Sequence, residues 1–153
     1  MLPGLRFKLI VWFSRFHMAV LRLSGGRLMS KLLGLNMLLL SSTGNLTGRL
    51  TNTPLLYIEY GDNYYCAASF GGNDKNPQWF QNLIAEPNVG LLIRRKHIPA
   101  IAHMTSGEER EQAWAKLVDY HPPFAQYQER TERVIPVVKF TPSPGSETIY
   151  DRS

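Results

Sequence analysis

The sequence predicts an α+β fold in which a small barrel of about six mainly antiparallel strands is interrupted by helices. Two observations favour this fold. Short apolar and aromatic runs alternate with Gly, Asn and Asp turns, and most connections are too short for parallel crossovers. The 153 residues are 44% hydrophobic, which is enough for one domain with a buried core. Closing such a sheet into a barrel removes its exposed strand edges.

The first predicted element is a helix over residues 5–23. Lys8, Arg15 and Arg22 recur every seven residues and form one narrow polar stripe on it. These cations interrupt the apolar run, and no signal-peptide cleavage site follows, so we expect neither a membrane span nor a signal peptide. A wide aromatic-rich face edged with cations is typical of a helix lying in a membrane interface. Packing on its own domain or on the second subunit of a homodimer is an equally good interpretation.

The next elements frame two loops. We expect a strand over 36–42 and two further strands over 53–60 and 63–69, joined by a Gly61-Asp62 hairpin turn. Pro77 fits the first turn of a helix that runs to Ala85. Two further strands, over 89–95 and 98–103, are predicted around a Lys96-His97 turn. A capping box at Ser106 then opens a helix over 106–120. A second short helix over 124–130 and a closing strand over 134–140 complete the prediction.

This pattern divides the chain into an N-terminal amphipathic segment (1–34), a barrel domain (35–142) and a flexible tail (143–153). The net charge of +5 favours an anionic partner as much as a merely basic surface. The basic residues are dispersed, which argues against nucleic-acid binding. Cys66 is the only cysteine, so no intrachain disulfide forms and a reducing compartment is allowed. The four histidines have no partners at zinc spacing, and we expect no metal site.

Two loops rich in amide and hydroxyl groups are the candidate binding elements. The first loop, residues 43–49, reads TGNLTGR, and the second loop, residues 69–76, reads SFGGNDKN. Exposed backbone N–H groups, glycines that allow close approach and the start of the following helix favour an anionic, flat ligand. Taken alone, each loop reads as well as an ordinary connection between strands.

Several sequence blocks extend this hypothesis: LLLSSTG from Leu38, AASxGG from Ala67, KNPxWFxNLxAEPNV from Lys75 and PPFxxYQxRTxRxIPVV from Pro122. Together they resemble the deazaflavin-dependent nitroreductase and quinone reductase family, from about residue 23 to residue 142. This group has a split β-barrel and is related to flavin-binding proteins similar to pyridoxamine oxidases.

The resemblance implies a split β-barrel oxidoreductase. Such a protein passes a hydride from the reduced deazaflavin coenzyme F-420 to a hydrophobic acceptor, which is a quinone, a nitroaromatic or another conjugated compound. FMN is the alternative cofactor. Because several members of the family have a membrane-associated N-terminal segment, the resemblance also implies a cytoplasmic protein in peripheral contact with the inner membrane face.

The resemblance also implies site residues. The cofactor-binding set combines backbone groups, glycines and polar side chains: Arg49, Asn52, Thr53, Ala67, Ala68, Ser69, Gly71, Gly72, Trp79 and Asn82. The acceptor pocket would be lined by Ser69, His121, Phe124 and Tyr127, and the catalytic candidates are His121, Tyr127 and Ser69. Trp79 is equally well explained as a core residue, and His121 as a group that caps a helix end.

The sequence departs from this family at cationic positions. Where the family has Arg or Lys, this chain has Asn45, Leu46, Thr51 and Phe70. These cations face the phosphate and the acidic tail of the cofactor, so we expect a weaker electrostatic grip. The departures support a second hypothesis, a non-catalytic binder of a hydrophobic ligand such as a lipid, a fatty acid or a haem-like ring.

Overall fold

A computed structural model describes residues 34–145 and 148–149. The described part contains eight strands, three α-helices and one short 3-10 turn at Phe70–Gly72. The strands are β1 (Met37–Thr43), β2 (Leu50–Leu56), β3 (Ile58–Tyr60), β4 (Asn63–Ala67), β5 (Asn88–Ile93), β6 (Lys96–Met104), β7 (Val137–Pro142) and β8 (Thr148–Ile149). The helices are α1 (Gln78–Ala85), α2 (Gly107–Tyr120) and α3 (Pro123–Glu129).

All paired strands are antiparallel and form one sheet in the order β2-β1-β5-β6-β7-β4-β3, with β8 added to the start of β6. Tyr57 connects the two ends of this order, and its ring packs edge-on against Tyr64 of β4 at a centroid distance of 5.6 Å. The sheet therefore curls on itself into a half-barrel. The prediction of an α+β fold with mainly antiparallel strands is confirmed.

Strand alternation builds two cores. In β7, Val138 and Phe140 are fully buried inside the barrel with Trp79 of α1. Val137 points the opposite way and packs in a second cluster with Leu117 of α2. Because successive side chains of a strand lie on opposite faces, one strand serves both cores. The barrel thereby carries α2 and α3 on its outer face.

The predicted strand over 53–60 is wrong in its continuity. The chain leaves β2, one edge of the sheet order, at Leu56 and enters β3, the other edge, at Ile58. Between them the N–H of Tyr57 donates to the carbonyl of Asn36 at 3.1 Å. A chain that crosses between the two edges must leave the first ladder, and hydrophobic alternation carries no signal for that step.

The predicted turn at Lys96-His97 is also wrong. Ile93 pairs with Lys96, so the two-residue turn is Arg94-Arg95, with φ values of 47° and 69°. This hairpin turn requires positive φ at both residues and usually contains Gly or Asn. Two arginines gave no such signal in the sequence.

Smaller shifts occur at other element ends. The short helix starts one residue earlier than predicted, at Pro123, and β7 covers 137–142 instead of 134–140. Within the tail that we predicted to be flexible, residues 148–149 pair with β6. The predicted helix over 5–23 lies outside the described residues.

The capping box predicted at Ser106 does not form. Ser106 is the N-cap of α2, but its side chain makes no capping hydrogen bond. Glu109, the expected reciprocal partner, instead accepts hydrogen bonds from the Tyr65 hydroxyl at 3.2 Å and from Lys139 Nζ at 2.7 Å. The hydrogen bonds of Glu109 to the sheet residues Tyr65 and Lys139 therefore form in place of the reciprocal bond of the capping box.

Truncating Phe140, which is 0% exposed, should leave a cavity inside the barrel. We expect Phe140→Ala to lower the free energy of unfolding by about 3–5 kcal/mol. The control Ile84→Ala removes a side chain that is 60% exposed and should change it by no more than about 0.5 kcal/mol. Equal losses in urea denaturation would contradict this assignment of the core.

Candidate functional site

The first loop is a compact turn. The N–H of Gly44 donates to the carbonyl of Arg49 at 2.7 Å, and the N–H of Gly48 donates to the carbonyl of Gly44 at 2.8 Å. A Cβ at Gly44 would lie 2.7 Å from Thr47 Oγ1 and 3.2 Å from the carbonyl oxygen of Arg49, so a larger residue there would displace the Thr47 side chain. Leu46, at the tip, is 85% exposed.

Asn82 of α1 holds this loop in place. Its side-chain oxygen accepts from the N–H of Asn45 at 3.0 Å and from Gln78 Nε2 at 3.1 Å. Its side-chain nitrogen donates to Ser42 Oγ at 3.4 Å and Thr51 Oγ1 at 3.3 Å. Asn82 is 1% exposed, and burying an amide is favourable only when its hydrogen bonds are made. A neutral network thus fixes the loop to α1.

The second loop makes a left-handed turn. Ser69 is in the right-handed helical region (φ −75°, ψ −37°), and Phe70, Gly71 and Gly72 follow with φ values of 46°, 64° and 81°. The N–H groups of Gly72 and Asn73 close the turn onto the carbonyls of Ser69 and Phe70. A right-handed residue followed by a left-handed one is the backbone conformation of an anion-binding nest. The preceding N–H groups, from Ser69 to Gly71, donate to no acceptor within the described residues.

The second loop packs directly on α3 and the residues after it. A Cβ at Gly72 would lie 2.5 Å from the carbonyl oxygen of Tyr127 and 2.9 Å from Arg130 Cβ. Thr131 Oγ1 donates to Asp74 Oδ1 at 2.9 Å. Glycine at position 72 is therefore required by its positive φ and by the close approach of α3.

Arg133, which the sequence reasoning missed, ties the second loop to this region. Its guanidinium donates to the carbonyls of Ala68, Ser69 and Asn73 at 3.2, 2.9 and 2.7 Å, and to Asn76 Oδ1 at 2.8 Å. Burial lowers the pKa of Arg133, and the charge of Asp74 opposes that shift. The spacing of Arg133 after α3 was the available signal, but nothing in the sequence paired it with a loop about 60 residues away.

An aromatic cluster stands beside the second loop at the junction of α2 and α3. The rings of His121 and Phe124 meet edge-on at 5.0 Å, and those of Phe124 and Tyr127 at 6.0 Å. His121 ends α2, where its N–H donates to the carbonyl of Leu117 at 2.8 Å. Burial lowers the pKa of its imidazole below the ordinary value of 6.5. This shift favours the neutral form of the imidazole.

The first turn of α1 brings the two loops to one rim of the barrel. The second loop runs into α1 at Pro77, and Gln78 Nε2 donates to Asn45 Oδ1 of the first loop at 2.7 Å. Gln78 was not predicted as a site residue. The first turn of α1 thus contacts the first loop and directly continues the second loop, which packs on α3 beside the aromatic cluster.

The predicted cofactor residues occupy different environments. Trp79, Ala67 and Ala68 are buried, with Trp79 packed edge-on against Phe80 at 6.3 Å. Arg49 is exposed. The predicted β2 residues lie on the strand that follows the first loop and pair across to β1: Asn52 with Ser41 and Thr53 with Leu40. The roles of these residues toward a cofactor stay predictions.

The four neutral positions also differ from one another. The side chains of Asn45 and Thr51 belong to the Asn82 network and connect the first loop and β2 to α1. Leu46 is exposed, and Phe70 is 55% exposed despite being aromatic. In the described part of the chain, no Arg or Lys side chain hydrogen-bonds to the Asn82 network in place of the cations that the family has at these positions. The rim is consequently less charged than a phosphate site built on Arg and Lys.

Two other features do not support a site. An open cleft of about 470 Å³ beside Arg133 is lined by mixed charges, including Asp74, Glu129 and Glu132, which would repel an anion. Cys66 is fully buried, and burial raises the pKa of its thiol, so it is not a nucleophile. Residues 34–145 contain no cluster of His, Cys, Asp and Glu able to hold a metal. No helix among them is long and apolar enough to cross a membrane.

Comparisons with known proteins agree with this architecture. The sequence profile of a family described as F420H(2)-dependent quinone reductase matches residues 12–142. An F420H(2)-dependent quinone reductase of Mycobacterium tuberculosis is 34% identical over 131 residues, covering 83% of this chain and 88% of that protein.

Solved structures give the same result. One, described as an F420-H2 dependent reductase (FDR-A), is 37% identical, with a TM-score of 0.64 over 69% of this chain and 93% of that one. Another, described as a domain-swapped dimer, is 37% identical, with a TM-score of 0.65 over 69% and 79%. The prediction of a split β-barrel is confirmed.

Replacing Asn82 by Leu removes the four hydrogen bonds of its side chain and leaves the N–H of Asn45 without its acceptor. We expect a loss of about 1–3 kcal/mol of stability and faster hydrogen exchange at Asn45. The control Gln78→Ala removes an exposed member of the same network and should leave the Asn45 amide protected. Unchanged exchange at Asn45 in Asn82→Leu would contradict the role of Asn82.

The lowered pKa of His121 predicts a pH effect. The unfolded chain binds this proton at higher pH than the folded one, so the contribution of His121 to stability is fully present above about pH 6.5 and is lost as pH falls toward the folded pKa. Wild-type protein should therefore lose more stability than His121→Gln between about pH 7.5 and about pH 5.5. Equal losses, or an NMR titration of His121 above 6.5, would contradict this.

Proposed function

Because this chain belongs to the F420H(2)-dependent quinone reductase family, we propose that it transfers a hydride from the reduced deazaflavin coenzyme F-420 to a quinone or a similar conjugated acceptor. The observation that carries the proposal is the left-handed turn of the second loop. Its N–H groups from Ser69 to Gly71, which have no acceptor among the described residues, lie beside an aromatic cluster, and this suits a ligand with a phosphate and a flat ring system.

The residues present fit a phosphate through backbone donors. The glycines at positions 71 and 72 have no side chains that would block an approaching anion, while the exposed ring of Phe70 lies in the same turn. Asn82 anchors the first loop to α1, the helix that the second loop enters. When bound, the deazaflavin supplies the hydride chemistry, and the protein supplies binding and orientation.

The acceptor side is formed by residues of the α2–α3 junction. Phe124 and Tyr127 offer ring edges and faces against which a flat acceptor can pack. The neutral imidazole of His121 carries an N–H that can donate a hydrogen bond to an acceptor carbonyl, and the Tyr127 and Ser69 hydroxyls offer further donors. We propose that these groups exclude water from the acceptor and stabilise negative charge as it develops on the acceptor oxygen.

A second candidate function is supported by exposed apolar residues at the same rim. Leu46, Leu50 and Phe70 are 85%, 70% and 55% exposed, which favours a non-catalytic binder of a lipid, a fatty acid or a haem-like ring. FMN is a separate alternative, as the cofactor of a reductase in place of coenzyme F-420. These alternatives predict ligand binding without deazaflavin-dependent turnover.

We also propose a homodimer and a cytoplasmic location. The dimer is supported by the solved relative described as a domain-swapped dimer. Peripheral contact with a membrane through residues 5–23 remains a prediction from the sequence, since those residues lie outside the described part of the chain. A vesicle co-sedimentation assay with full-length protein tests that contact directly.

The test of the proposed function is a fluorescence titration of purified full-length protein with coenzyme F-420, followed by quinone-dependent oxidation of the reduced form. We expect saturable binding and turnover. Binding of neither deazaflavin nor FMN would contradict the proposal. A thermal shift with fatty acid or haem alone would then favour the non-catalytic alternative.

Restoring charge at the rim should strengthen deazaflavin binding. One charge-assisted hydrogen bond contributes about 1.5–3 kcal/mol, so Phe70→Lys combined with Asn45→Arg should lower the dissociation constant at least about tenfold. The matched control Phe70→Gln with Asn45→Gln changes the same positions without charge and should give little gain. Equal affinities of the charged and neutral pairs would show that these positions do not face the anion.

A further inference from the structure

We infer that Arg133 is a positioning residue that holds the second loop in its anion-binding shape and couples it to the aromatic cluster on α3. This inference rests on the proposed function for its consequence, but its structural content is independent of any ligand. Its basis is the set of groups that the Arg133 side chain and backbone contact.

The guanidinium of Arg133 brackets the left-handed turn. Two of the carbonyls that it satisfies, those of Ala68 and Ser69, precede the turn, while its other two partners, on Asn73 and Asn76, follow it. All three guanidinium nitrogens are used. The turn is therefore held at both ends by one rigid, planar group.

The turn needs such support because its conformation is unfavourable for the residue it contains. Phe70 has a φ of 46°, a region that bulky residues rarely adopt, and it is not held by burial because it is more than half exposed. Such conformations persist when the surrounding structure over-determines them. The Arg133 hydrogen bonds, with Gly72 against α3, supply that surrounding structure.

The backbone of Arg133 is in turn fixed to α3. Gln128 Nε2 donates to the carbonyl of Arg133 at 2.7 Å, and Gln128 Oε1 accepts from the N–H of Ile135 at 3.0 Å. The Gln128 side chain thus hydrogen-bonds the backbone on both sides of position 134. Since α3 also carries Phe124 and Tyr127, a displacement of the turn and a displacement of the aromatic cluster are mechanically linked through Arg133.

Charge alone does not account for this arrangement. Arg130, three residues earlier, carries the same charge beside the same turn. Among the described residues, however, its side chain donates only to the carbonyl of Gly71, at 3.3 Å, and stacks on the Tyr127 ring at 5.4 Å. A lysine at position 133 would keep the charge but offers a single nitrogen in place of the planar fork. Shape and charge can therefore be separated by substitution.

The experiment compares Arg133→Lys, Arg133→Gln and Arg130→Gln as full-length proteins without ligand and then with coenzyme F-420. Hydrogen exchange is followed at the Gly72 and Asn73 amides, whose hydrogen bonds define the turn, and at Leu40 in β1 as an internal reference. We expect Arg133→Gln and Arg133→Lys to speed exchange at the two turn amides at least about tenfold, with Leu40 unchanged. Arg130→Gln should have a clearly smaller effect.

For the cofactor, we expect Arg133→Lys to raise the F-420 dissociation constant at least about tenfold although the charge is retained. Wild-type affinity in Arg133→Lys, or unchanged exchange at Gly72 and Asn73, would overturn the inference. Equal acceleration at Leu40 would also overturn it, because it would show a global loss of stability. If wild-type protein binds no F-420, the proposed function fails, while the exchange data still decide the role of Arg133.

Discussion

The backbone N–H and C=O groups of a loop at the rim of a sheet have no neighbouring strand to bond, so they need other hydrogen-bond partners. The shape of the candidate site depends on which groups supply those hydrogen bonds. Each loop closes partly on its own backbone, and one side chain distant in sequence anchors it to the rest of the fold. The buried amide of Asn82 anchors the first loop, and the guanidinium of Arg133 anchors the second. Both loops are therefore shaped by partners distant in sequence, and the barrel serves to bring those partners within reach.

This arrangement gives the rim its chemical character. The groups that hold the loops are engaged with the protein, so the donors left for a ligand are mainly backbone N–H groups of the left-handed turn. A phosphate can be bound by such donors without a dense cluster of side-chain cations. Family membership defines the kind of reaction, and the neutral residues at positions 45, 46, 51 and 70 are a property of this particular chain.

The fold was largely predictable because alternation, turn residues and proline positions act locally. Pro77 and the Gly61-Asp62 hairpin gave correct elements for that reason. The break at Tyr57 and the Arg94-Arg95 turn were not predictable, since they depend on which strands meet and not on local preference. Closure of the barrel is a property of the whole chain.

The sequence predicted where the candidate site lies, but not which side chains hold its loops in place. Glycines marked the second loop, and the block around Trp79 and Asn82 marked α1. Asn82 looks from the sequence like a group for a ligand, yet its amide is occupied by Asn45, Gln78, Ser42 and Thr51. Arg133 stands in one of the blocks that carry the family resemblance, but nothing in the sequence showed that its side chain bonds backbone carbonyls across the fold.

The central claim is that this rim binds an anionic cofactor mainly through backbone donors. The most direct measurement is the F-420 dissociation constant of wild-type protein between about 0.05 M and about 0.5 M salt, a range over which exposed charge–charge attractions become largely screened. We expect a rise of no more than about threefold, since backbone N–H groups would supply most of the contacts to the anion. A rise of about a hundredfold, as expected for several exposed Arg and Lys contacts, or no binding at any salt concentration, would contradict it.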